Sequence, residues 1–378
     1  SGRMRPPVLR GSAVSPAGLI FAKPLKESVE SATGLQLEDT GKSFKGSEFE
    51  GLKARHPFYE RDSLLILGDH VTLEAGTGCV HTAPGHGQDD YIVGLQYQLP
   101  ILSPVNERAE FTNEVPEYEG LHVFKANPLI VERLKESGHL LGFKTIEHSY
   151  PHCWRSKVPL IFRATAQWFI RMDDPQFNIR EKALAEIENN IEFVPEWGIK
   201  RLTAMIEARP DWCISRQRNW GVPIPVLYCT SCEHSHMTEE FLYSVADRME
   251  TQGGIEFYFE SPVEVLLENK ELQCEQCGNT SWKKGTDILD VWFDSGVCHA
   301  AVQRRRDGLS YPADLYLEGS DQHRGWFQTS LISSVASNGS APFKKLLTHN
   351  FVNDEHGRKM SKSLGNYVDP MELIGKSG

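Results

Sequence analysis

The run from Asp314 to Val352 limits the possible folds more than any other part of the chain. Asp314 to Glu318 reads as a strand, and Gly319-Ser320-Asp321 as a turn. Gln322 to Ser337 then repeats its apolar residues at helical spacing, with Trp326, Phe327, Leu331, Ile332 and Val335 on one broad face. Asn338-Gly339-Ser340 stops that helix, and Leu346 to Val352 is again strand-like. Strand, helix and strand in this order form a crossover unit, which requires two parallel strands in one sheet. Such sheets bind ligands beyond the carboxyl ends of their strands. The chain is therefore read as α/β.

The rest divides by composition. Residues 1–17 are basic, Pro/Gly-rich and aperiodic, an irregular start. Residues 18–147 read as one β-rich α/β domain. Its expected helices are Leu25 to Thr33, Gln88 to Tyr97 and Asn127 to Gly138. Its expected strands are Leu64 to Leu67, His70 to Leu73 and Cys79 to Thr82. Composition shifts near His148. Residues 148–342 carry two amphipathic helices, Ile179 to Asn190 and Trp197 to Arg209, and a Cys-rich, hairpin-like insertion over about 228–284. Residues 343–378 form a final segment. No apolar run is long enough for a membrane span, and 40% hydrophobic residues in 378 exclude a disordered or fibrous chain. The net charge of −11 argues against a nonspecific nucleic-acid coat while leaving room for a local basic groove.

Four patterns carry chemistry. The first is GRKMSKSLGN, Gly357 to Asn366, a glycine-bounded loop with Lys359 and Lys362. Two ammonium groups on a mobile loop can close over a polyphosphate and neutralise charge on a leaving pyrophosphate. The second is YLEGSDQHRGWF, Tyr316 to Phe327. Glu318 ends a strand, where a carboxylate can hold a ribose hydroxyl or an amino group, and Gly319 lets a ligand approach the backbone. Asp321 and Gln322 can add polar contacts, with a helix cap as the alternative for Asp321. The third is GTGCVHTAPGHGQDDY, Gly76 to Tyr91, whose His81, His86, Asp89 and Asp90 have no diagnostic metal spacing. The fourth is Cys229-x-x-Cys232 with Cys274-x-x-Cys277, two knuckles able to supply four thiolates to a structural zinc ion. The 41 residues between the pairs exceed the usual ribbon spacing, and two disulfides or free buried thiols are the alternatives. The other cysteines, Cys79, Cys153, Cys213 and Cys298, read as packing residues in a reducing compartment.

Lys359-Met360-Ser361-Lys362-Ser363, directly after a crossover unit, resembles the signature loop of class I aminoacyl-tRNA synthetases. DILDVWFDSG (Asp287 to Gly296), RPDWCISRQRNWGVPIP (Arg209 to Pro225) and the second and third patterns above resemble the isoleucine-specific, bacterial-type branch of that family. The resemblance runs from about Gly18 to the C-terminus. It implies the second half of a Rossmann-type catalytic domain, with an inserted β-rich editing domain over 18–147 and a small zinc-ribbon-like insertion. It implies activation of isoleucine by ATP, with Mg2+ accompanying the nucleotide, and transfer to the isoleucine tRNA by a cytoplasmic monomer. Lys359 and Lys362 would act on the phosphates. Glu318, Gly319, Asp321 and Gln322 would bind the adenylate, and Trp292 and Trp326 would wall the amino-acid pocket, though two tryptophans near strand ends are by default core packing. His81 and Thr82 would line a hydrolytic editing pocket in which Asp90 holds the ammonium of a misattached amino acid. A second sieve has a physical cause, because one methylene in an apolar pocket gives about 1–3 kcal/mol of discrimination. Alternatives are the valine-specific branch and a free-standing editing module, the latter having no use for the lysine loop. The family's His-Ile-Gly-His-type string and the Thr-rich strand of its editing pocket do not occur, and no anticodon-binding helical domain follows. An internal fragment is therefore expected.

Overall fold

The computed structural model describes residues 18–377 apart from Ala75, Lys144, Ile146, His148, Trp154 and Arg155. The irregular start over 1–17 lies outside the described residues. Contacts divide the chain into two units, Ser1–Ala166 and Gln167–Gly378.

In the first unit, α1 (Lys26–Thr33) buries Val29 and ends at Gly34, which takes the left-handed conformation (φ 69°) a helix stop favours. β1 (Lys53–Arg55) and β2 (Asp62–Leu64) pair antiparallel, Ala54 opposite Ser63. α2 (Gln88–Gln96) and α3 (Val123–Glu136) lie close to their expected ranges. Among the described residues the expected wealth of strands is not found. Of the three sequence-derived strands, the first keeps only Leu64, and His70 to Leu73 and Cys79 to Thr82 are irregular. Gly76 and Gly78 both sit at φ 74°, which turns the chain between these runs, and an alternating pattern without a partner ladder makes no strand. Leu73 and Val80 are accordingly exposed, at 59% and 60%.

The composition shift near His148 does not coincide with the contact boundary. Residues before Gln167 are tied back into the first unit. The Ala164 N–H donates to the Gly85 carbonyl at 2.7 Å, Arg163 Nε to the Val105 carbonyl at 2.7 Å, and His86 Nδ1 lies 2.9 Å from the Phe162 carbonyl.

The second unit opens with β3 (Phe169–Ile170), α4 (Ile179–Asn189), β4 (Glu192–Val194), α5 (Gly198–Glu207), β5 (Trp212–Cys213) and β6 (Ser215–Arg216). The Cys-rich insertion follows with β7 (Leu227–Cys229), β8 (Ser235–His236), α6 (Glu239–Thr251), α7 (Glu256–Glu260), α8 (Val263–Leu266) and β9 (Trp282–Lys284). It holds more than a hairpin. Its strands form an antiparallel sheet in the order β8-β7-β9, and its helices bury Phe241, Val245, Tyr258 and Leu266 against Leu227 and Trp282.

Next come β10 (Ile288–Leu289), α9 (Val291–Gly296), β11 (Tyr316–Gly319), α10 (Trp326–Asn338), β12 (Lys345–His349) and α11 (Pro370–Ser377). β11 and β12 are parallel, as the crossover pattern requires, and β4 adds a third parallel strand, giving the order β11-β12-β4. Leu346 stands between Tyr316 and Phe193 in register. One core joins the sheet to its helices: Ala183 and Ile187 of α4, Leu202 and Ile206 of α5, Phe327 and Leu331 of α10, and Tyr316 and Leu346 of the strands. α10 is buried continuously from Phe327 to Val335 despite its polar residues. Ser333 and Ser334 meet that constraint by donating to the carbonyls of Gly296 and Ser340, at 2.9 and 2.8 Å.

Candidate functional site

Parallel pairing brings the carboxyl ends of β4, β11 and β12 to one edge of the sheet, at Val194, Gly319 and His349. Glu318 is exposed there and Gly319 is buried. A Cβ on Gly319 would lie 2.7 Å from Asp321 Oδ1, so a larger residue there would push the exposed Asp321 carboxylate aside. The turn Ser320–Arg324 is a short 3-10 helix, and α10 begins after Gly325 rather than at Gln322. Gln322 Oε1 accepts the Trp326 N–H at 3.0 Å, so the bond that starts α10 comes from Gln322, and Asp321 stays exposed.

The two tryptophans differ. Trp326 is half-buried, stacks on Tyr316 (centroids 4.1 Å apart, planes 7° off parallel) and donates its indole N–H to the Ser295 carbonyl at 3.0 Å. It packs against the main core. Trp292 is 43% exposed and lays its ring over Gly325, where a Cβ would come within 2.8 Å of it. A flat apolar wall thus stands beside the polar turn Glu318–Gln322.

Two of the sequence motifs pair just ahead of α9, which carries Trp292. β10 pairs antiparallel with β6, bringing DILDVWFDSG onto RPDWCISRQRNWGVPIP. Asp290, 7% exposed at its side chain, receives Arg216 Nη2 at 3.0 Å. Asp294 is held above the usual carboxylate range by burial, and further by the Asp290 charge. Arg209 donates to Gln328 of α10 and stacks over Trp212, and burial pulls its ionisation down.

After β12 the lysine loop folds on itself. Asn353 and Lys359 form an antiparallel bridge, and Lys359 Nζ lies 3.4 Å from the centre of the Phe351 ring. Lys362 begins a short 3-10 turn closed by Gly365 at φ 67°. Sequence reasoning missed Asp354, which organises this loop. Its signal was available in the local Asn-Asp-Glu-His-Gly composition.

In the first unit, Asp90 Oδ2 accepts the Ala83 N–H at 3.0 Å, closing the turn that carries Thr82 and Pro84. Its other oxygen lies 3.8 Å from His70 Nε2, a neighbour the sequence did not flag because twenty residues separate the two. Thr82 is half-buried and His81 is exposed.

The four paired cysteines converge. Cys229 Sγ lies 3.5 Å from Cys277 Sγ, and Cys232 Sγ lies 3.6 Å from Cys274 Sγ. All four sulfurs fall within 4.8 Å of one another. A tetrahedral thiolate site with bonds of about 2.3 Å needs sulfurs about 3.8 Å apart, and a disulfide would need about 2.05 Å. The set therefore fits a tetrahedral ion and not two bridges. Both knuckles are built alike. The fourth residue after each leading cysteine, Glu233 or Gly278, has positive φ and donates its N–H to that cysteine's carbonyl, at 3.0 and 2.8 Å. Asn279 donates to Cys229 Sγ at 3.5 Å and is the main cause that draws this thiol down to about 6. Among the described residues this is the one group of His, Cys, Asp and Glu side chains close enough to hold a metal.

The profile of the family described as tRNA synthetases class I (I, L, M and V) matches residues 23–378. The chain belongs to that family. Isoleucine–tRNA ligases from Kosmotoga olearia and Caldanaerobacter subterraneus are 54% and 52% identical to it over 359 residues, which is 95% of this chain. The isoleucine–tRNA ligase of Nitratidesulfovibrio vulgaris is 49% identical over 363 residues. This class I synthetase chain spans 38% of the length of each of these relatives. A methionyl-tRNA synthetase of Mycobacterium tuberculosis bound by methionyl-adenylate superposes loosely, with a TM-score of 0.36 and 18% identity over 61% of this chain and 34% of that one. No helix among the described residues is long and apolar enough to cross a membrane.

Proposed function

We propose that this chain is part of an isoleucine–tRNA ligase. About half of its residues are identical to those of such ligases over 95% of its length, and that observation carries the reading. In the reaction, an oxygen of the isoleucine carboxylate attacks the α-phosphorus of ATP. The bond to the β-phosphate breaks and pyrophosphate leaves. A hydroxyl of the tRNA's terminal ribose then attacks the carbonyl of isoleucyl-adenylate, and AMP leaves. Glu318, Gly319, Asp321 and Gln322 lie at the strand ends, where the adenylate is held. Trp292 and Trp326 flank the aliphatic side chain. Lys362, assisted by Lys359, offsets the charge that develops on the departing pyrophosphate, whose Mg2+ arrives with ATP.

Residues 18–147 act as the editing domain. Asp90 binds the ammonium of valine misattached to tRNA, and His81 and Thr82 border the ester. Cys229, Cys232, Cys274 and Cys277 hold a structural zinc ion, which ties the two knuckles of the insertion together and leaves no coordination position for catalysis.

The test is pyrophosphate exchange in the full-length ligase to which the chain is assigned. Isoleucine should drive exchange far better than valine or leucine. Lys362→Ala should cut the rate by roughly two orders of magnitude, the scale of losing one charged stabiliser, with little change in the KM for isoleucine. Equal exchange with leucine, or an unaffected Lys362→Ala enzyme, would overturn the assignment.

A further inference from the structure

The loop that carries Lys359 and Lys362 is tied together by one carboxylate outside the signature motif. Asp354 Oδ1 accepts the backbone N–H groups of His356 and Arg358, at 3.0 and 2.9 Å. Asp354 Oδ2 is met by Arg358 Nε and by the side-chain amide of Asn366, both at 2.9 Å. Asn366 closes the other side of the loop. Its Oδ1 accepts the Ser361 N–H at 2.9 Å, and its Nδ2 also reaches the Lys359 carbonyl at 3.2 Å. The Asp354 side chain is 10% exposed, in a segment most of whose described residues are exposed.

These ties have a common direction. They fix the backbone on both sides of Lys362, and among the described residues none engages its ammonium. Lys359 is already occupied by the Phe351 ring. A loop ordered before the ligand arrives spares the binding step the cost of ordering it.

We propose that Asp354 is a positioning residue: with Asn366 it latches the lysine loop into a preformed hairpin that presents Lys362 to the triphosphate of ATP. The positioning role rests on the reading of the loop as directed at ATP. The latch itself does not. Asn366, followed by the Arg358 backbone amide, draws the Asp354 carboxyl down to about 2, so the latch stays ionised at any ordinary assay pH.

Two measurements separate the latch from its purpose. In the full-length ligase, trypsin cleavage mapped to the bonds after Lys359 and Lys362 reports how often the loop opens. Asp354→Ala and Asn366→Ala, which attack the latch from opposite sides, should each speed that cleavage by about tenfold, the scale of losing one or two net hydrogen bonds. Cleavage of both variants at the parental rate would overturn the latch. In the full-length ligase, Asp354→Ala should lower the rate of pyrophosphate exchange by about tenfold with the KM for isoleucine within about twofold. The same substitution should have almost no further effect in a Lys362→Ala background, because a residue acting through Lys362 cannot be felt once Lys362 is gone. Equal losses in both backgrounds would overturn the positioning role. If Lys362→Ala alone left exchange unchanged, the ATP reading and the positioning role would fall, while the cleavage result would still decide the latch.

Discussion

The second unit should lose stability between pH 7.5 and 5.5, and much of that loss should trace to His299. This histidine is 1% exposed in the turn after α9. Its Nε2 lies 3.1 Å from Ser333 Oγ, its ring packs 6.0 Å from Tyr311, and its Nδ1 has no hydrogen-bond partner among the described residues. Burial, and then the charge of Arg304, lower its ionisation from 6.5 to about 4. The unfolded chain therefore takes up a proton near 6.5 that the folded chain refuses until about 4. The contribution is complete above 6.5, falls as the pH drops through that window, and is lost below about 4. Linkage over this window gives about 1.3 kcal/mol lost between pH 7.5 and 5.5, and an upper bound of about 3 kcal/mol at lower pH. In a unit of this size the first figure corresponds to a fall of about 3–5 °C in Tm. His299→Gln removes the titration and can still donate to Ser333. The variant starts less stable, but its melting temperature should fall less between the two pH values than that of the parent. His323, also buried and lowered, contributes with the same sign in both proteins and cancels from the comparison. Equal losses in parent and variant would show that His299 is not the proton acceptor, and the reasoning from burial would fail.

Two further outcomes are expected. Metal analysis of the purified protein should find about one zinc per chain, and Cys274→Ser should lower that content and loosen the insertion around Leu227 and Trp282; zinc-free protein with an unchanged melting profile would refute the site. Gly325→Ala would place a Cβ 2.6 Å from Gln322 Oε1 and 2.8 Å from the Trp292 ring, so it should cost about 1–3 kcal/mol and shift the tryptophan emission; unchanged emission and stability would show that the wall yields freely.

The crossover unit was legible because its signal is local: an apolar pattern that switches from strand to helix and back within forty residues. Its boundaries were less so. β12 was expected to run to Val352 but stops at His349, where its partner β11 ends at Gly319. A strand lasts as long as its neighbour, and the neighbour's end is not written in the strand's own residues. β4, three residues long, was missed for the same reason, since its pairing with β12 joins residues far apart in sequence. In the first unit the error ran the other way. Alternation in His70 to Leu73 suggested strands where glycines at positive φ leave no ladder. The four cysteines were legible as a group because each pair is a local knuckle, and only their convergence had to come from the fold.

The two parts of the proposed adenylation site are supported in different ways. Of the wall and turn made by Trp292, Gln322, Gly325 and Trp326, Trp326 is the first residue of α10, a helix buried along most of its length and locked by hydroxyl-to-carbonyl bonds, and Gln322 accepts the Trp326 N–H, while Trp292 stands on α9. A side chain fixed to such an element keeps its geometry until the unit itself unfolds. The lysine loop has no such backing. Among the described residues from Phe351 to Asn366 none belongs to the main core, and the loop's shape depends on hydrogen bonds it makes with itself. Segments with few buried apolar contacts open at a small fraction of the global unfolding free energy. In the proposed site, the part assigned to the amino acid is thus backed at Trp326 by the core, and the part assigned to the phosphates rests on its own hydrogen bonds. The proposed adenylation would use that asymmetry, because its pocket would have to discriminate between side chains of nearly equal size, while its cations would have to let pyrophosphate leave once the adenylate has formed. A latch of a few hydrogen bonds around Asp354 suits the second task, strong enough to present Lys362 and weak enough to release.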